Sequence, residues 1–124
     1  VFIQRKSYAQ FRDLLVEKTN QLIIGDPLQE DTFVGPLINR KAALEVKARI
    51  EDAVNDGAVV LTGDRIEDAI VHPTILENVS SESEIVAEET FGPVIPLFAF
   101  EDIDEIIPLI NNSDQLPLTV VEYP

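Results

Sequence analysis

The chain has 124 residues, of which 45% are apolar, so it is long enough for one domain with a real core. Its 23 acidic and 9 basic residues leave a net charge of −14, which excludes nucleic acid and anionic membrane as partners, because both repel such a surface. It contains no cysteine, which excludes a disulfide, a thiolate metal site and a cysteine nucleophile within these residues.

Eight prolines and five glycines are ordinary punctuation, and the apolar content argues against disorder. No apolar run approaches the roughly 20 residues of a membrane span. Val1-Phe2-Ile3 runs straight into Gln4-Arg5-Lys6, which is not a secretory leader. The absence of an initiating Met points to a start inside a longer protein, or to trimming. The charge reads as the solvated surface of a cytoplasmic protein; the sharper alternative is an acidic patch for a cation or a basic partner.

Val1 to Gln4 reads as a short strand. Ser7, with Gln10 three residues on, forms a capping-box pattern, and Tyr8, Phe11, Leu14 and Leu15 supply an apolar stripe for the first helix. Gly25-Asp26-Pro27 closes that segment, and a loop containing Gly35-Pro36-Leu37-Ile38 follows. Asn39 is placed to cap a second helix with Ala43, Val46, Ile50, Ala53 and Val54 on one face and Gly57 as its stop. Ala58 to Thr62 is a short strand ended by Gly63-Asp64. Ile70 to Leu76 is extended around Pro73, which suits an edge or a strand start.

Val94 to Phe100 is almost continuously apolar and predicts a buried strand of a sheet covered on both faces. Asp102 with Glu105 repeats the capping-box pattern, Ile103, Ile106, Ile107 and Ile110 form a stripe, and Pro108 should shorten or kink that helix. Leu118 to Val121 reads as a last strand. The alternation predicts an α/β fold, three-layer, with a largely parallel sheet flanked by helices. Residues 1–124 read as one domain without a linker.

The stretch Glu88-Glu89-Thr90-Phe91-Gly92-Pro93-Val94 carries the chemistry. Proline disfavours the helical region at the residue before it, so Gly92-Pro93 is a stiff turn leading into the apolar strand. Glu89 and Phe91 are two apart and share a face if the segment is extended. A carboxylate beside an aromatic ring suits a ligand with a diol next to a flat ring. The plainer reading is a solvated acidic turn with Phe91 in the core.

This stretch resembles the Glu-Glu-x-Phe-Gly-Pro-Val signature of the aldehyde dehydrogenase superfamily. Gly25-Asp26-Pro27 followed by Gly35-Pro36-Leu37-Ile38, the run Ala53 to Gly63, Pro73-Thr74-Ile75-Leu76 with Val79, and Phe100 to Glu105 resemble further family segments, in the family's order. The resemblance implies part of the catalytic domain downstream of the nucleophile. It implies that Glu89 holds the hydroxyls of the nicotinamide ribose of NAD or NADP and that Phe91 packs near the nicotinamide, with Glu88 structural. It implies an aldehyde substrate for the longer parent protein and a homo-oligomer as a possible assembly. The family's Cys thiolate attacks the aldehyde carbon, hydride passes to the nicotinamide, and water hydrolyses the thioester. That Cys, the general base, the oxyanion Asn and the dinucleotide-binding domain have no counterpart in these residues, so the chain alone is expected to be inactive and to contribute no catalytic residue.

Three readings follow: an enzyme piece, a truncated relative acting as an interaction module, and an acidic cation-binding domain. His72, the single histidine, reads as structural in an extended segment before Pro73. Asp102-Ile103-Asp104-Glu105 lacks the loop glycine of a calcium hand and reads as a helix cap, so no metal site is expected.

Overall fold

A computed structural model describes residues 1–111. The elements in chain order are β1 (Phe2–Gln4), α1 (Arg5–Asn20), α2 (Arg40–Asn55), β2 (Val59–Thr62), β3 (Ile66–Glu67), β4 (Ile70–Val71), β5 (Thr74–Glu77), α3 (Glu84–Ala87), β6 (Val94–Pro96), β7 (Phe98–Phe100) and α4 (Ile103–Asn111). The strand expected at Leu118 to Val121 lies outside the described residues.

Strand β5 is the centre of the fold. It pairs antiparallel with β2 and parallel with β6, in the order β2-β5-β6. Its side chains alternate between faces, as strand geometry requires. Leu76 joins the cluster built on Ala43, Val46, Ile50 and Ala53 of α2. Ile75 joins Ile3 and Leu97 beneath Tyr8, Leu15 and Val16, of which the last three belong to α1. Helix, sheet and helix therefore form three layers, and the class is α/β. Strands β1 and β7 add a second parallel pair, and the hairpin β3–β4 a second antiparallel one.

Helix α2 forms as the sequence dictates. The Asn39 side chain accepts a hydrogen bond from the Ala42 amide at 2.9 Å, satisfying a donor that the first turn leaves open. Ala43, Val46, Ile50 and Ala53 are its buried residues, while Val54 is 40% exposed. Complete burial of Ile50 contributes about 1.5–3 kcal/mol.

Several expectations are corrected. Helix α1 begins at Arg5, directly after β1, and no side chain caps it. Ser7 therefore lies inside the helix, because the pairing of β1 with β7 sets the helix start. Of the expected stripe, Tyr8 and Leu15 pack on the core, whereas Phe11 and Leu14 are exposed.

The extended stretch 70–76 breaks at His72-Pro73 into β4 and β5, which belong to different sheets. Pro73 stands just before a strand start, where its missing N–H costs no ladder bond. The stretch 94–100 is two short strands, and most of its residues are only half-buried. It changes partner around Leu97, whose amide donates to the Leu76 carbonyl at 2.8 Å, while the Phe98 amide donates to Val1 at 2.9 Å. Pro93 and Leu97 bond toward β5, while Pro96 and Phe98 face the other way, where the Pro96 carbonyl accepts from the Val1 nitrogen at 2.7 Å. Helix α4 runs past Pro108 to Asn111, so the proline does not end it. Only Ile106 of its stripe is buried.

Candidate functional site

The signature stretch lies across α2. Buried Ile85 anchors α3 in the core on the α2 side of the sheet. Downstream, the Thr74 amide donates to the Pro93 carbonyl at 2.8 Å, which ties the turn to β5. Between these anchors Gly92 comes so close to α2 that a Cβ there would stand 2.9 Å from Val46 Cγ2. Glycine is required here for close approach.

Arg49 of α2 spans the segment. Its Nη1 donates to the Glu89 carbonyl at 3.1 Å and to Thr90 Oγ1 at 3.0 Å. Its Nη2 donates to Glu88 Oε2 and pairs with Glu84 Oε1, both at 2.9 Å. Glu88 is thus held by the protein itself, which agrees with its structural reading.

Glu89 and Phe91 are held differently. Among the described residues no hydrogen bond or ion pair engages the Glu89 carboxylate, and the Phe91 ring is 79% exposed. Phe91 is therefore not the core residue of the plainer reading. Both line an open groove of about 430 Å³ together with Arg49, Thr90, Glu45 and Ala42. A carboxylate with free acceptor capacity and an uncovered ring on one groove match a ligand with a diol and a flat heterocycle. The residues present fit a nicotinamide riboside on these grounds.

Arg49 was not singled out from the sequence. Its signal was available: it lies three residues after Val46 and four before Ala53, on the edge of the buried stripe. Its partners, 35 to 41 residues further on, are not readable from periodicity.

The remaining candidates resolve into structure. His72 Nε2 lies 3.1 Å from Glu67 Oε1, and its amide donates to the Arg65 carbonyl at 2.9 Å, so His72 closes the β3–β4 hairpin. The Asp102 carboxylate accepts from the Asp104 amide at 3.1 Å and Glu105 accepts from the Glu101 amide at 3.4 Å, a capping arrangement at the start of α4. Among the described residues no three His, Cys, Asp or Glu side chains gather to hold a metal ion. No helix among them is long and apolar enough to cross a membrane.

Comparison with known proteins identifies the family. A family model described as the aldehyde dehydrogenase family matches residues 1–116. The chain is 57% identical over 113 residues to a sulfoacetaldehyde dehydrogenase of Neptuniibacter caesariensis, covering 91% of this chain and 25% of that protein. It is 35% identical over 114 residues to a 3-sulfolactaldehyde dehydrogenase of Priestia megaterium, covering 92% of this chain and 24% of the relative. Among solved structures, aldehyde dehydrogenase 21 of Physcomitrella patens, in complex with the reaction product succinate, superposes with a TM-score of 0.87 at 32% identity, over 90% of this chain and 23% of that one. A glyceraldehyde-3-phosphate dehydrogenase of Methanocaldococcus jannaschii complexed with NADP gives 0.85 at 34% identity, over 91% and 24%. The chain spans about a quarter of the length of the relatives it matches. With a matching family model, ordered signature segments and a shared three-layer fold, the chain belongs to the aldehyde dehydrogenase family.

Proposed function

We propose that this chain is one unit of the catalytic domain of a longer NAD- or NADP-dependent aldehyde dehydrogenase, in which Glu89 and Phe91 contact the nicotinamide riboside. The observation that carries this reading is the contrast within one motif. Arg49 takes up Glu84, Glu88, Thr90 and the Glu89 carbonyl, while the Glu89 carboxylate and the Phe91 ring are left toward the groove.

In the proposed reaction the aldehyde is oxidised to a carboxylic acid. The nicotinamide, when bound, accepts the hydride that leaves the aldehyde carbon. Glu89 accepts hydrogen bonds from the ribose diol and so fixes the reach of the attached ring. Phe91 covers one side of that ring and excludes water from it. The chain has no cysteine, so the thiolate belongs to another segment; by the family resemblance the general base, the oxyanion Asn and the dinucleotide-binding domain do too, and in this reading these 124 residues do not oxidise aldehyde unaided. The likeness to a sulfoacetaldehyde dehydrogenase supports a small aldehyde with an anionic substituent as the whole protein's substrate. A cytoplasmic setting and assembly into a homo-oligomer belong to the same proposal.

The test is steady-state kinetics of the full-length protein carrying Glu89→Gln. Loss of a charged hydrogen-bond acceptor of about 1.5 kcal/mol corresponds to roughly a tenfold higher KM for the dinucleotide. The KM for aldehyde should hold. A dinucleotide KM and a kcat both unaltered would remove Glu89 from the site.

A further inference from the structure

We infer that Arg49 is a positioning residue for dinucleotide binding, acting through the backbone of the signature turn. The inference rests on the assignment of Glu89 and Phe91 to the nicotinamide side.

Four acceptors spread over residues 84 to 90 converge on one guanidinium. Two of them are at the Glu89–Thr90 junction: the Glu89 carbonyl and the Thr90 hydroxyl. Fixing a carbonyl fixes its peptide plane, and with it the position of the Glu89 Cα from which the side chain leaves. The other two, Glu84 and Glu88, bracket α3, so the same group sets where the turn begins.

The support is rigid on the helix side. Arg49 is followed in α2 by Ile50, which is 1% exposed, and its own side chain is 22% exposed. Residues 88–92 contribute no strand, and the backbone bonds from Glu88 to Glu84, from Gly92 to Thr90 and from Val94 to Gly92 are local.

The chemistry favours arginine specifically. A planar fork with five donors can address a carbonyl, a hydroxyl and two carboxylates at once, whereas a lysine ammonium is a point charge on a flexible stem. Charge alone would balance Glu84 and Glu88; only the fork also fixes the Glu89 carbonyl.

The test compares Arg49→Lys, Arg49→Ala, Glu89→Gln and the double variant Arg49→Ala/Glu89→Gln in the full-length protein. We expect Arg49→Ala to raise the dinucleotide KM about tenfold, the effect of about one charged hydrogen bond, with the aldehyde KM within twofold. Arg49→Lys should keep the melting temperature near that of the parent and still show most of the KM rise. The double variant should bind dinucleotide no worse than Glu89→Gln alone, since one residue acts through the other. Full recovery by Arg49→Lys, a loss confined to kcat and thermal stability, or additive KM effects would each overturn the positioning role. Glu89→Gln with parent-like kinetics would instead overturn the assignment on which it rests.

Discussion

Adding one methyl group at Gly92 tests how the signature turn is seated. In Gly92→Ala the new Cβ stands 2.9 Å from Val46 Cγ2 and 3.3 Å from Cγ1. Carbon atoms pack best at about 3.5–4.0 Å, so the contact is short by roughly half an ångström or more. Val46 cannot swing aside cheaply, because a β-branched side chain in a helix is confined almost to one rotamer and this one is 5% exposed. The turn or the helix must move. Overpacking of this kind costs about 1–3 kcal/mol. For a chain of this size that is a fall in melting temperature of roughly 4–12 °C, readable by circular dichroism. The cause is specific, so Val46→Ala should relieve it. The double variant should cost clearly less than the sum of the two singles, with a coupling of about 1 kcal/mol. A Gly92→Ala cost below about 0.5 kcal/mol, the size of an ordinary surface change, or strict additivity with Val46→Ala, would refute the close seating of the turn on α2.

Two further outcomes follow from the same packing and charges. Ile50→Ala, at a site 1% exposed in the α2 cluster, should destabilise by about 2–5 kcal/mol in urea unfolding, far more than Val54→Ala on the same helix. Lys47 is held above its ordinary 10.5 by its hydrogen bond to Asp64 at 2.6 Å, and Tyr8 above its ordinary 10.0 by desolvation and then by Glu77. Both raised values favour the protonated form in the folded state. Their stabilisation is therefore complete below the ordinary values and is lost as pH rises past the raised ones. Unfolding free energy should fall on the alkaline side of pH 10, and Lys47→Met with Tyr8→Phe should flatten that fall.

Much of the site's frame is legible in the sequence, and what is not has a physical reason. Helix α2 shows itself because cap, stripe and stop are all local: Asn39, then Ala43 to Ala53, then Gly57. The start of α1 does not, since the Ser7–Gln10 pattern is overridden by the pairing of Phe2 to Gln4 with Phe98 to Phe100, a contact across almost the whole described chain. The run 94–100 reads as a single strand by hydropathy. Its change of partner depends on where β5 ends and β1 lies, which are contacts between segments far apart in the chain. At the candidate site, spacing before a Gly-Pro turn leaves a solvated acidic turn equally open, and it is the resemblance to the family signature that singles out Glu89 and Phe91. Arg49 cannot be connected to them, because the link is a set of hydrogen bonds between a helix and a turn about 40 residues apart.

The proposed nicotinamide contact is tested most directly by the crystal structure of the full-length protein with NAD or NADP bound. The account predicts both ribose hydroxyls about 2.5–3.0 Å from the Glu89 carboxylate, with the Phe91 ring in van der Waals contact with the nicotinamide. A ribose held by other groups, with the Glu89 carboxylate turned to solvent, would contradict it.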